Sequence, residues 1–424
     1  MKIVLISKYA KTGGAAIAAY RLMTALRGHG VDASMLVQDG RFEEEGVHST
    51  TAGAVKRWIN MARFIAERLV FLRHERSGSI RFLFSLANTG EDITRNRHVR
   101  EADIIHLHWI NAGYLSLKSL KRLLDSGKPI VWTFHDMWAF TGGCHYALEC
   151  LGYRSECGLC LYLKKPGRRD LSHRLWMKKR KLFLNSHVTA VAPSNWLKEC
   201  MRSSSLLRHW EVRTIHNPVD QVQFRPLNRE HSCRNLGLDP DKRYILFGAA
   251  AIGNMLKGFD YFVEAIGLLV AEPDPIAGVE ILLFGKKKKG MDQLLPLKTN
   301  HIRSAGSVQV MAQLYNVAHL FVIPSLQDNL PNTIIESMLC GTPVVGFSTG
   351  GIPEMIGHKK DGYLAEPRSA RDLAAGMKWL LTHPDHRSVS LQAREAALDR
   401  FSSEKSVAGY LEIYRDLMKQ KGDS

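Results

Sequence analysis

The stretch Ile323–Glu354, IPSLQDNLPNTIIESMLCGTPVVGFSTGGIPE, sets two acids, Asp328 and Glu336, among prolines, glycines and small residues just ahead of an apolar run. LFVIPS reads as a strand and DNLPNTIIESMLCG as a loop that turns into a helix. Pro331 suits the first helical turn and Gly341 the position just past the end. TPVVGFS is then a second buried strand. Glu336 falls inside the helix on the side near its start, with Asp328 in the preceding loop. The two acids and the N–H groups of Asn332 and Thr333 are expected to face one pocket.

The same alternation extends along the whole chain. KIVLIS, ASMLVQ, DIIHLHW, PIVWTFH and VTAVAPS punctuate the first half, and RYILFGAA, VEILLFG, HLFVIPS and TPVVGFS the second. Several are apolar at consecutive positions, as strands covered by helices on both faces must be. Strand and helix alternation predicts βαβ units and parallel sheets. The series breaks around HNPVDQVQFRP (His216–Pro226), and 424 residues suit two cores. The expected architecture is α/β, with two doubly wound domains across a cleft. SSEKSVAGYLEIYRDLMKQ, near the end, has Val407, Tyr410, Leu411, Ile413, Tyr414 and Leu417 at helical spacing.

A 45% hydrophobic share is that of a globular protein, and the net charge of +17 favours an anionic partner: nucleic acid, phospholipid headgroups or a phosphorylated small molecule. The opening MKIVLISKY is interrupted by Lys8 and reads as a first strand, not a secretory segment. The longest apolar runs fall short of the roughly 20 residues that span a bilayer.

Three places carry chemistry. Gly13 and Gly14 lie between the first strand and its helix, where paired glycines admit a ligand to the backbone and a helix N-terminus favours an anion; a plain tight turn explains them equally well. The dinucleotide and P-loop glycine patterns are both absent. Lys257, in AAAIGNMLKGFDYF, stands just before a helix and can reach phosphate oxygens, although a single lysine is more often a solvated one. The third is the opening stretch.

This succession resembles glycosyltransferase family 4: an early Gly-Gly turn, Lys257-Gly258 after the first strand of the second half, then PS, Asp328, Glu336, CGTPVVGFSTGGIPEMI and DGYLAEP. The match spans nearly the whole chain. TFHDMWAFTGGCHY and the cysteines after it further resemble a bacterial subgroup that builds exopolysaccharide and lipopolysaccharide. The resemblance implies a GT-B fold of two Rossmann-like domains. Residues 1–218 would form the acceptor-side domain with a Cys-rich insertion at 142–162. Residues 219–395 would bind the nucleotide sugar, and 396–424 would be a C-terminal helix packing back toward the first domain.

The roles implied by the resemblance fall on named positions. Glu336 matches the acid that binds the nucleotide ribose, and Asp328 the acid, normally Glu, that contacts donor-sugar hydroxyls. Leu330, Pro331, Asn332 and Thr333 match the loop whose amides meet sugar and diphosphate. Lys257 matches the diphosphate lysine, Gly14 with Gly13 the glycine turn near the distal phosphate, and His135 the histidine near the reacting centre. His135, Asp328 and Glu336 make up the implied catalytic set. The family's arginine a few residues before the lysine is not evident in GAAAIGNMLK.

The implied reaction is retaining transfer of a hexose from a nucleoside diphosphate sugar to a lipid-linked or growing glycan acceptor, on the cytoplasmic face of the membrane. No metal is required for transfer, since helix dipoles and cations stabilise the leaving diphosphate. The rival reading is a non-catalytic nucleotide-sugar or polyanion-binding protein of the same fold. Asp239 and Asp241 flank Pro240 and read as turn residues.

Two features stand apart. Cys144, Cys150, Cys157 and Cys160 have the spacing of a structural zinc site, with free or redox thiols as the alternative. Two basic stretches with interleaved apolar residues, Lys56–Arg76 and Lys164–Lys181, suit an anionic membrane surface or a solvated helix face. Neither contains a recognised nucleic-acid module, and no nucleic-acid partner is expected.

Overall fold

The computed structural model describes residues 1–38, 44–51, 53–272, 277–303 and 307–422. The chain divides into two compact units, Met1–Pro218 with Glu404–Ser424, and Val219–Ser403. The second unit therefore runs past the expected end at 395, because Ala397 and Phe401 are buried in its core.

In the first unit, among the described residues, seven strands form one parallel sheet in the order β3-β2-β1-β4-β5-β6-β7. They are β1 (Lys2–Ser7), β2 (Asp32–Val37), β3 (Val47–Ser49), β4 (Ile104–Leu107), β5 (Ile130–Thr133), β6 (Thr189–Ala192) and β7 (Val212–Thr214). Helix α1 (Gly14–Gly28) follows β1, and helix α2 (Gly53–Leu72) follows β3. Alternate residues of β1 enter opposite cores: Ile3 and Leu5 on one face, Val4 and Ile6 on the other. That double burial is what consecutive apolar residues in a strand require. The terminal helix Ser403–Gly422 covers one face with Val407, Tyr410, Ile413 and Tyr414.

The second unit has six parallel strands among the described residues, ordered β10-β9-β8-β11-β12-β13. They are β8 (Arg243–Ala251), β9 (Val279–Lys286), β10 (Thr299–Ile302), β11 (Ala318–Ile323), β12 (Val344–Phe347) and β13 (Gly362–Ala365). Tyr244 and Leu246 face one core, Ile245 and Phe247 the other.

All nine apolar runs read as strands form strands. The four not read, β3, β7, β10 and β13, are the two edges of each sheet. An edge strand has one neighbour and one solvated side, so VHS, VRT and TNHI carry polar residues and GYLA is short.

In a doubly wound sheet, ligands bind beyond the C-terminal strand ends where the strand order reverses. The reversal falls between β1 and β4 in the first unit and between β8 and β11 in the second. The loops after these four strands hold Gly13, His108, Lys257 and Asp328.

Candidate active site

In the second unit the reversal brings Lys257 and Asp328 into direct contact. β8 and β11 are hydrogen-bonded neighbours, so the loops that leave them run side by side. Gly258 has φ +68°, and a Cβ there would lie 1.9 Å from the Pro324 carbonyl oxygen. Only glycine lets the two loops approach this closely. Leu326 N–H closes the contact on the Leu256 carbonyl at 2.9 Å. Lys257 Nζ then donates to Asp328 Oδ2 at 2.6 Å. Asp328 is fixed from behind as well: its carbonyl accepts from Gly351 N–H at 3.0 Å, and a Cβ on Gly350 would collide with that carbonyl at 1.9 Å.

Beyond Asp328 the chain enters the helix Asn332–Leu339, with Pro331 at its N-cap and no side chain capping it. Pro331 thus precedes the first turn that the sequence put it in. An uncapped N-terminus presents N–H groups and the positive end of the helix dipole. Glu336 is buried within this helix at 7% exposure and accepts from Tyr315 Oη at 3.1 Å. Leu330 is buried in the same core. The structure therefore joins Lys257 to Asp328 across two adjacent loops, and the Leu330–Thr333 turn and the helix bearing Glu336 follow directly from the second of them.

Among the described residues, a lysine packs on the loop ahead of Lys257, where the resemblance would put an arginine. Ile252 N–H bonds the Lys286 carbonyl at 2.8 Å, and the methylenes of Lys288 lie 3.4–3.7 Å from where a Gly253 Cβ would be. Lys287 pairs with Asp292, whereas no acid is paired with Lys288 among the described residues. Asp239 and Asp241 form a turn, Asp239 Oδ1 accepting from Asp241 N–H at 2.9 Å.

In the first unit, Gly13 caps α1 at φ +88° with nothing within 4 Å of its Cβ position, and no side chain caps that helix either. His135, after β5, shares a hydrogen bond with His108, after β4, Nε2 to Nδ1 at 3.0 Å. Burial pushes His135 down to about 4, Asp136 opposing, so its ring is neutral near pH 7. His106 lies behind them, bonded to Tyr414 Oη at 2.6 Å and to Thr133 Oγ1 at 2.8 Å, and burial pushes it down to about 3.

The turn after His135 is held by Asp136. Its Oδ2 accepts from Trp109 Nε1 at 3.0 Å and contacts His145 Nδ1 at 2.7 Å, and its Oδ1 accepts from Trp138 N–H at 2.8 Å. Burial alone would raise this carboxyl, but His145 and the two N–H donors hold it below its usual range. His145 Nε2 in turn meets Ser85 Oγ at 2.8 Å. Ser85, His145 and Asp136 have the connectivity of a nucleophilic triad, yet Ser85 is buried at 3% exposure. The relay is a scaffold for His135.

Lys179 anchors the same turn, donating to the carbonyls of Trp138 and Thr141 with its ammonium 3.8 Å from the Trp138 ring centroid. It belongs to the basic stretch Lys164–Lys181, whose helix Leu171–Phe183 buries Leu175, Trp176, Lys179 and Phe183. Leu175 and Trp176 of that stretch are core and Met177 packs against it, so these side chains do not face a lipid surface.

The four cysteines of the expected zinc site, Cys144, Cys150, Cys157 and Cys160, all carry free thiols, and Cys150, Cys157 and Cys160 lie close enough to Cys144 to raise it. Among the described residues, no three His, Cys, Asp or Glu side chains are set to hold a metal ion. Burial pushes the Cys144 thiol well up, Cys157 to about 12 and Cys160 to about 11. Neutral thiols pack as small hydrophobes, and Cys157 Sγ accepts from Gly142 N–H at 3.1 Å.

Sequence reasoning missed Tyr315, His108, Asp136 and His145. The two histidines of HLHW, two residues apart and so on one face of a strand end, were the available signal for His108. Tyr315 left none, because its partner is 21 residues away on another helix.

Comparison with known proteins settles the family. A model of Glycosyltransferase Family 4 matches residues 12–223, half of the chain, and one of Glycosyl transferases group 1 matches residues 243–383. The chain belongs to glycosyltransferase family 4. This family 4 chain is 27% identical over 241 residues to N-acetyl-alpha-D-glucosaminyl L-malate synthase of Bacillus anthracis, covering 55% of the chain and 60% of that protein. It is 23% identical over 326 residues to the colanic acid biosynthesis glycosyl transferase WcaC of Escherichia coli, covering 74% and 76%. The first curated relatives are thus matched over about half to 60% of their length. Among solved structures, Anabaena Alr3699/HepE in complex with UDP-glucose aligns at TM-score 0.64 and 15% identity, over 98% of this chain and all of that one. The fold is GT-B, each unit a parallel Rossmann-like sheet.

Proposed function

We propose that this family 4 chain is a hexosyltransferase that moves a sugar, with retention, from a nucleoside diphosphate donor to a lipid-linked or growing glycan acceptor of bacterial surface polysaccharide, working at the cytoplasmic membrane face. The observation that carries the reading is the contact of Lys257 with Asp328 at the N-terminus of the helix that holds Glu336. One cation, one helix end without a side-chain cap, an acid in the loop before it and an acid within that helix match the parts of a diphosphate sugar. The helix end and Lys257 take the diphosphate, Glu336 the ribose hydroxyls and Asp328 the sugar hydroxyls.

Lys288 takes the place of the missing arginine, since its stem packs on the loop where that arginine would stand. The chain's groups position the donor and stabilise charge on the leaving diphosphate, with no protein nucleophile and no metal required. His135 and the Gly13-Gly14 turn, to which the resemblance gives roles in transfer, lie in the first unit. The resemblance to WcaC and the UDP-glucose held by HepE support the polysaccharide and nucleotide-sugar parts of this reading.

A thermal-shift panel of UDP-, GDP- and ADP-sugars tests it. A donor that binds only the folded chain raises its melting temperature. One nucleotide class is expected to stand out, and no shift with any of them would count against a donor site here.

A further inference from the structure

Helix α2 is built inside out. Its inward face buries Phe71 but is mainly charged: Glu67 and Arg68 are buried and bonded to each other, Glu67 Oε1 accepts from Leu86 N–H at 2.9 Å, and Arg68 Nη1 donates to the Phe84 carbonyl at 3.0 Å. Its outward face is apolar. Val55, Trp58, Ile65, Leu69 and Leu72 recur at three- and four-residue spacing and are 73%, 76%, 45%, 57% and 48% exposed, and Phe82 beside them is 67% exposed. A helix meant for water would be turned the other way, with the apolar stripe in the core.

Charge decides what covers this stripe. Glu67 is the helix's own acid and is buried; Glu75, just beyond it, is buried against Arg81. Exposed Lys56 and Arg57 stand at one end of the stripe, Arg73 and Arg76 at the other. A second copy laid along this face would bring like charges together. An apolar face flanked at both helix ends by exposed cations suits an anionic bilayer, whose acyl region takes Trp58 and Leu69 while its headgroups take the basic ends.

We infer that α2 lies in the interfacial plane of an anionic lipid surface and docks the first unit there. Among the described residues no helix is long and apolar enough to cross a membrane, so attachment by this helix would be peripheral. The inference rests on α2 alone and is read without any donor or acceptor, so its failure and the failure of the transferase reading are separate outcomes.

The test is co-sedimentation of the full chain with vesicles of phosphatidylcholine alone and of equal parts phosphatidylcholine and phosphatidylglycerol. The chain is expected to pellet with the anionic vesicles. Leu69→Asp and Trp58→Ser are each expected to lower that partitioning at least about tenfold, and the pair Lys56→Glu with Arg57→Glu by at least about 25-fold, about fivefold for each charge removed. Unchanged circular dichroism shows that each variant is folded. Trp58 sits at the most exposed of these positions, so Trp58→Ser keeps the test open if Leu69→Asp fails to fold. Equal pelleting of wild type and folded variants would overturn the inference, as would no pelleting of wild type. A mass by light scattering that doubles in wild type and not in Leu69→Asp, with no vesicle binding, would assign the face to a second copy.

Discussion

Lys257 Nζ lies 2.6 Å from Asp328 Oδ2, joining the loops that leave two adjacent strands of the second unit. This pair couples the two halves of the proposed donor. The ammonium that would meet a diphosphate is already held by the carboxylate that would meet the sugar. Lys257→Ala is expected to weaken nucleoside diphosphate binding by about 1.5–3 kcal/mol, on the order of 10- to 100-fold, the worth of a charge-assisted hydrogen bond. Asp328→Asn removes the competing carboxylate, so it is expected to bind the free diphosphate at least as tightly as wild type while losing discrimination among donor sugars. Calorimetric titration of both variants checks this, and equal losses of nucleotide affinity would contradict it.

Glu336 owes its orientation to Tyr315. Tyr315→Phe keeps the acid and removes the donor, so nucleotide binding is expected to weaken several-fold, less than for Glu336→Ala. Stability should fall by roughly 1 kcal/mol for the lost hydrogen bond. Paired titration and denaturant unfolding of Tyr315→Phe and Glu336→Ala would show the order.

Lys288 is exposed, so its contribution to a bound diphosphate is expected to be small. Lys288→Ala should weaken diphosphate binding about two- to fivefold, as for an exposed ion pair of about 0.5–1 kcal/mol. Lys289→Ala serves as the control and should change nothing. Titration at two salt concentrations separates a direct contact from general screening.

We propose that His108, through its hydrogen bond to His135, is a positioning residue for transfer. His108→Gln is expected to lower kcat about 10- to 100-fold while KM for the donor changes little, because the reacting geometry loosens without loss of the nucleotide contacts. A KM rise of the same size would mean a general structural role.

The buried histidines also set an acid limit on stability. His106 and His135 are held at about 3 and about 4 in the folded chain, against 6.5 when free. Between those values the unfolded chain binds more protons, so stability rises with pH through this window and is lost as pH falls below about 6.5. Melting temperatures are expected to decline from there, before most carboxylates titrate. A melting temperature flat down to pH 5 would contradict the burial of these rings.

Buried strands were legible because burial on both faces demands consecutive apolar residues, as in RYILFG and VEILLFG. Edge strands were not, since VHS, VRT and TNHI answer to solvent on one side. The acids and the lysine could be placed because they fall in the motif succession that resembles the family, with Lys257 and Asp328 in the loops that follow β8 and β11. Their contact could not, because it depends on Gly258 meeting Pro324 across 66 residues. That the apolar face of α2 in Lys56–Arg76 turns outward was left open for a different reason. Periodicity separates the two faces of a helix but does not say which one the fold turns inward.

The central claim, sugar transfer from a donor site built on Lys257, Asp328 and Glu336, is tested most directly by acceptor-dependent release of nucleoside diphosphate from the donor that the thermal-shift panel selects. Bacterial membrane lipid extract serves as the acceptor source. Wild type is expected to release nucleoside diphosphate only when the extract is present, and Glu336→Ala and Lys257→Ala should lose that release while remaining folded. Undiminished turnover in both variants would contradict the site, and donor binding with no release by wild type would leave a binding protein instead of a transferase.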